Sequence, residues 1–194
     1  MNNGAFELCD DEVMRQVLAE VGASAEGGLA RIEQLLGEFP RDPRLHFLKG
    51  SLLVGLKRFV GAHLAMSRAL EIAPDYELAR FQLGFFELTS GEADAAFRTW
   101  APLDSLAPGS WMRLFVEGLR ALAEDRLADC VTALRTGIAA NSENLPLNAD
   151  MELIIAECER LDTSGQAGRE AAGEASEVSA TSLLLGNAGS RRRH

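Results

Sequence analysis

The chain has 194 residues, 47% of them apolar and 25% charged, and its 29 acidic side chains outnumber 19 basic ones for a formal net charge of -10. That is the composition of a soluble globular protein long enough for one sizeable core. It excludes two classes. No run of about 18 uninterrupted apolar residues exists to insert in a membrane, and the acidic balance repels nucleic-acid phosphates and anionic lipid, with Arg191, Arg192 and Arg193 as the only basic cluster. The N-terminal stretch is acidic where a secretory signal is basic and then apolar. Cys9, Cys130 and Cys158 are widely spaced with no CxxC pair, so the expected compartment is the cytoplasm and the expected thiols are reduced.

In chain order, residues 1–42 read as a degenerate pair of helices. Val13, Met14, Val17, Leu18 and Val21 form an apolar stripe on an acidic helix, and Leu29, Ile32, Leu35 and Leu36 continue the pattern after a break at Gly22 to Gly28. Residues 43–144 carry an internal repeat. Pro40, Pro74 and Pro108 are spaced by 34 residues, as are Gly50, Gly84 and Gly118, and as are Phe47, Phe81 and Phe115. Residues 145–161, with Leu153, Ile154, Ala156, Cys158 and Leu161, predict a capping helix. From Asp162 to His194 the composition turns to Gly, Ala, Ser and Glu without apolar period, which predicts a disordered tail. Leu183, Leu184 and Leu185 stand in it as a candidate linear motif ahead of the basic end.

Three residue types recurring at one interval, each in its own phase, define the period of a helix-turn-helix solenoid. The second repeat carries Leu83-Gly84, a turn at Ser90-Gly91, Ala96 followed four residues later by Trp100, and then Pro108. The first carries Gly50, Leu53, Ala62, Met66, Ala69 and Pro74, and the third Gly118, Leu127, Cys130 and Leu134. On these residues the chain resembles the tetratricopeptide repeat (TPR) family, with divergent repeats. His46, Arg80 and Leu114 stand where the family places Trp, and Leu53, Glu87 and Ala121 where it places Tyr. The resemblance implies an all-α fold, a right-handed α-solenoid of about three helix pairs with a degenerate N-terminal pair and a C-terminal capping helix. The mid-helix glycines and Ala62 and Ala96 then mark close approach between helices, with no chemistry of their own. Trp100 is expected to be buried, and Trp111, opening the third repeat, partly exposed.

The resemblance also implies a concave groove lined by the first helix of each pair. Its positions here are Phe47, Ser51 and Val54, then Phe81, Phe85 and Leu88, then Phe115, Leu119 and Leu122, spaced i, i+4, i+7 on one helical face. Eight of the nine are apolar, so this face is either a groove for an apolar partner segment or interhelical core. The basic clamp with which some family members hold acidic chaperone tails is absent, since Phe47, Ser51, Gln82, Met112 and Val116 occupy its places. If the groove is open, the leucine triplet of the tail could return to fill it. Charge is uneven: residues 1–42 carry 9 acidic and 3 basic groups (-6), residues 43–76 carry 2 and 5 (+3).

No catalytic constellation is legible. His46, His63 and His194 are scattered, and there is no HExxH, no GxSxG and no GxxxxGK[ST]. No catalytic residue, metal or cofactor is therefore expected. The function read from the sequence is a non-enzymatic adaptor binding a protein or peptide segment in an apolar groove. The alternative is a secretion-type chaperone that keeps a hydrophobic client soluble. Pairing of two copies through end helices is compatible with either.

Overall fold

The computed structural model describes residues 8–171, with side chains as far as residue 163. The leucine triplet and the basic end lie outside the described residues. All regular structure among the described residues is helical: α1 (Asp11–Ala23), α2 (Ala25–Glu38), α3 (Pro43–Gly55), α4 (Phe59–Ile72), α5 (Glu77–Thr89), α6 (Ala93–Trp100), a 3-10 turn (Ala101–Ser105), α7 (Trp111–Ala123), α8 (Leu127–Ala140) and α9 (Leu145–Ala171). The helices form two compact units, one reaching to Leu83 and one starting at Gly84, with the division inside α5.

In the first unit α1 packs on α2, α2 on α3 and α3 on α4. The expected N-terminal pair is present, but the break is far shorter than Gly22 to Gly28. Ser24 alone separates the helices, closing α1 through its N–H on Glu20 O and capping α2 by accepting from Gly27 N. Gly28 belongs to α2, where a Cβ would stand 2.6 Å from Val21 Cγ2 and 2.8 Å from its Cα. Its lack of a side chain lets the two helices close into a hairpin. Val17, Ile32, Leu35 and Leu45 form the core beneath, with Val13, Met14 and Val21 partly buried against it.

α3 starts because Asp42 caps it and Pro43 needs no N–H there. It packs against α4 through Gly50, where a Cβ would meet Met66 Cγ at 2.5 Å and Ala62 O at 3.2 Å. Buried Ala62, Ala65, Met66 and Ala69 form the face of α4 turned inward. In the second unit Gly84 and Gly118 act alike: a Cβ on Gly84 would run into the Trp100 indole, and one on Gly118 would lie 2.7 Å from Leu134 Cδ2 and 3.2 Å from Cys130 O. Trp100 is fully buried and Trp111 partly so, its ring edge-on to Phe115 at 5.5 Å and its Nε1 donating to Glu143 at 3.4 Å.

The three hairpins turn in the same way. Lys57, Gly91 and Asp125 adopt φ of 59°, 88° and 57°, the left-handed region. Each donates its N–H three residues back, to Val54 O, Leu88 O and Leu122 O. The next N–H in each case reaches five residues back, Arg58 to Leu53 O, Glu92 to Glu87 O and Arg126 to Ala121 O, which is the Schellman closure.

The second helix of the middle pair stops at Trp100, well short of Pro108. Pro102 has no N–H to donate and its ring would strike the carbonyl four residues back, so the chain tightens into the 3-10 turn and keeps Leu103 buried. α9 continues past the Leu161 boundary to Ala171, although Gly165 and Gly168 fall within that extension. Its anchored part, with Leu147, Met151, Ile155 and Cys158 buried, packs on α8 as the capping helix does in the sequence reading.

Candidate interaction surface

The nine positions of the first-helix face do not share one environment. Phe81, Leu88, Phe115, Leu119 and Leu122 are all at most 2% exposed and belong to the interior. Their burial is that of interhelical core, the second of the two environments the sequence leaves open for this face. The physical reason is legible in α8: Gly137 leaves a hollow in which a Cβ would stand 2.5 Å from Phe115 Cδ1 and 2.6 Å from Cε1, so the phenylalanine ring sinks onto the neighbouring helix. Phe85 remains half-buried.

In the first unit the same face of α3 stays reachable. Ser51 is exposed, and Phe47 and Val54 are half-buried. Phe47 rests on Tyr76, ring centroids 5.4 Å apart and tilted by 59°, and burial pushes the Tyr76 phenol above its ordinary pKa. Ser51 spends its hydroxyl on Phe47 O at 3.1 Å. Lys49, on the same helix, pairs with Glu33 of α2 at 2.9 Å.

Two of the residues standing where the family has Trp, His46 and Arg80, serve the loops instead. His46 Nε2 lies 2.9 Å from Pro40 O, and Arg80 donates to Pro74 O at 2.6 Å, the same six-residue reach one repeat later. Polarity at these positions is thus used to hold the proline loops, while the phenylalanine one residue on does the packing.

A buried cluster that the sequence reading missed ties the N-terminal segment down. Asp42, with no exposed surface, accepts from the N–H groups of Cys9 (3.1 Å) and Arg44 (3.0 Å) and from the Arg44 guanidinium (2.8 and 3.0 Å). Arg44 also donates to Cys9 O at 2.6 Å and to Asp11 at 3.2 Å. Burial alone would raise the Asp42 pKa, but the hydrogen bonds from Arg44 outweigh it and hold the carboxyl below its ordinary value. Burial and the adjoining Asp42 push the Cys9 thiol up to about 11. The Asp-Pro pair ahead of an apolar run was a visible helix start; the partner 33 residues away was not.

No group of three or more His, Cys, Asp or Glu among the described residues could hold a metal ion. Cys130 and Cys158 are fully buried with their sulfurs 3.8 Å apart, and the bond to Cys158 together with burial pushes the Cys130 thiol up. The polar recess between α7 and α8, lined by Glu117, Arg120, Glu124, Arg126 and Asp129, is satisfied by its own ion pairs: Arg126 with Glu124 and Asp129, Arg113 with Glu117, Arg120 with Asp104. No helix among the described residues is long and apolar enough to cross a membrane.

These hairpins, their repeated turns and the capping helix define an all-α, TPR-like helical solenoid. Among solved structures the chain is similar to MamA from Desulfovibrio magneticus RS-1, in a structure running from its residue 41 to the end. The TM-score is 0.57 at 13% identity, covering 95% of this chain and 99% of that one. A MamA RS-1 double mutant gives a TM-score of 0.54 at 16% identity, covering 80% of this chain and 98% of that one. Likeness at this identity carries the fold. No protein-family model matches the chain, nor does any curated protein.

Proposed function

We propose that the protein is a non-enzymatic interaction module that binds a segment of a partner protein, with the α3 face of Phe47, Ser51 and Val54 as its contact surface. The observation that carries this reading is the contrast along the first-helix face: the corresponding residues of α7 are all interior, whereas α3 keeps its three accessible at i, i+4, i+7 spacing. A helical segment with two apolar anchors fits such a short stripe. Phe47 is already braced by Tyr76, so little side-chain freedom is lost on contact. The adaptor reading is favoured over the chaperone reading because five of the nine apolar-face positions are core, leaving too narrow a stripe to shield a large hydrophobic client.

The test is affinity purification of the full chain from its native cells beside a Ser51→Arg/Val54→Asp variant. A stoichiometric partner that is lost with the variant, while the helical circular dichroism is unchanged, is the expected result. Equal recovery with both forms would refute the α3 face as the contact. Recovery of no stoichiometric partner with either form would refute the module itself.

A further inference from the structure

The outer side of α4 differs from its counterparts one and two repeats on. Phe59, Val60 and Leu64 are 53%, 78% and 65% exposed within the first two turns of the helix. The equivalent residues 34 positions later are Ala93, Asp94 and Arg98, and after a further 34 they are Leu127, Ala128 and Thr132. The second repeat thus shows small or charged groups at all three places, and the third keeps one large apolar side chain, the half-buried Leu127, where α4 shows three exposed ones. The inward face of α4, from Ala62 to Ala69, is complete without them, so its packing does not require them.

The charge at this end of α4 differs from that of its counterparts as well. Lys57 and Arg58 are exposed at its start, and among the described residues neither side chain has an ion-pair partner. Their counterparts are Gly91 and Glu92 in the second repeat and Asp125 and Arg126 in the third, and Arg126 is claimed by Glu124 and Asp129 at 2.6 Å each. Asp94 and Asp129 stand in the first turns of α6 and α8, whereas the first turn of α4 holds no acidic residue. In an acidic chain, unpaired cations beside uncovered apolar side chains are the complement of a ligand that is acidic and apolar on one face.

We propose that the outer face of Phe59, Val60 and Leu64, with Lys57 and Arg58 at its edge, docks an acidic amphipathic helix of a partner protein. Apolar side chains of that helix one turn apart cover Val60 and Leu64 beside Phe59, and its carboxylates pair with the two cations. This surface is independent of the α3 face, so either can fail without the other. Three alternatives fit less well. The acidic α1 of a second copy turns Val13, Met14, Val17 and Val21 into its own core and offers Leu18 alone. Two cations contribute only about 1 kcal/mol each at an anionic bilayer, too little to hold a chain of net charge -10. The leucine triplet of this chain's own tail stands a few residues ahead of Arg191, Arg192 and Arg193, which Lys57 and Arg58 repel.

The test uses the full-length protein and a fluorescein-labelled, alanine-based helical peptide carrying leucines one turn apart and glutamates beside them. A second peptide has lysine in place of each glutamate. Fluorescence anisotropy is measured for the wild type, for Val60→Asp/Leu64→Arg, which installs what α6 carries at these places, and for Lys57→Glu/Arg58→Glu. The expected result is binding of the acidic peptide only, weakened about tenfold or more by the first variant. The second variant weakens it as well and removes its salt dependence. Circular dichroism of both variants checks that the helices are intact. Failure of the acidic peptide to bind, or unchanged affinity in both variants, overturns the proposal. So does finding that the substitutions instead abolish self-association in sedimentation or retention on phosphatidylserine vesicles.

Discussion

Trp100 and Gly84 should behave as one packing unit, and a double-mutant cycle reads that out. The indole has no exposed surface and lies where a side chain on Gly84 would have to go. Replacing Trp100 by Ala removes the largest fully buried side chain, for which a loss of about 3–5 kcal/mol is expected. Gly84→Ala is a contest between two terms. Alanine gains about 1 kcal/mol of helix propensity, while forcing a methyl into the indole costs about 1–3 kcal/mol of overpacking. In the wild-type background the net effect is neutral to destabilising by about 2 kcal/mol. In the Trp100→Ala background the obstacle is gone and the same change should stabilise by about 1 kcal/mol. The sign therefore changes, and the coupling energy equals the overpacking term, about 1–3 kcal/mol. Urea denaturation followed by far-ultraviolet circular dichroism gives all four corners. Gly37→Ala, in α2 with nothing within 4 Å of the added carbon, serves as a control that only gains propensity. Additive effects, or stabilisation by Gly84→Ala in the wild type, would refute the close approach of α5 and α6.

Two further predictions concern the turns and the N-terminal anchor. Lys57→Gly and Asp125→Gly should each stabilise by up to about 1 kcal/mol, since a side chain with positive φ is strained there, and Gly91→Ala should destabilise by a similar amount; thermal melts compare them directly. Asp42→Asn should destabilise at neutral pH. Because the folded-state pKa lies below the ordinary value, the carboxylate contributes its stability above that value and loses it as the pH falls through the folded-state pKa. The gap between wild type and variant in denaturation midpoint should therefore be full near neutrality and shrink as the pH falls below the ordinary carboxylate value and through the lower folded-state one; a gap that persists undiminished in acid would contradict the charge-assisted role of Asp42.

The 34-residue period was enough to place three helical hairpins, their glycine contacts and the buried Trp100, because each of these rests on residues close in sequence. Helix period, capping and close approach within a hairpin are local requirements, and the residues that satisfy them recur in phase. The fate of the phenylalanine face was beyond that reach. The spacing i, i+4, i+7 suits an open groove and a helix core equally. What decides between them is the surface that the next helix presents. Gly137 gives Phe115 a hollow to enter, whereas the corresponding place behind Phe47 is Ala69 and the ring rests on Tyr76 instead. The anchor of Asp42, Arg44 and Cys9 likewise joins groups 33 and 35 residues apart, and no periodic signal marks a pairing that occurs once. The exposed apolar side chains of α4 belong to the same category. The sequence fixes only that they are apolar, and it takes the packing of Ala62 to Ala69 against α3 to leave them facing outward.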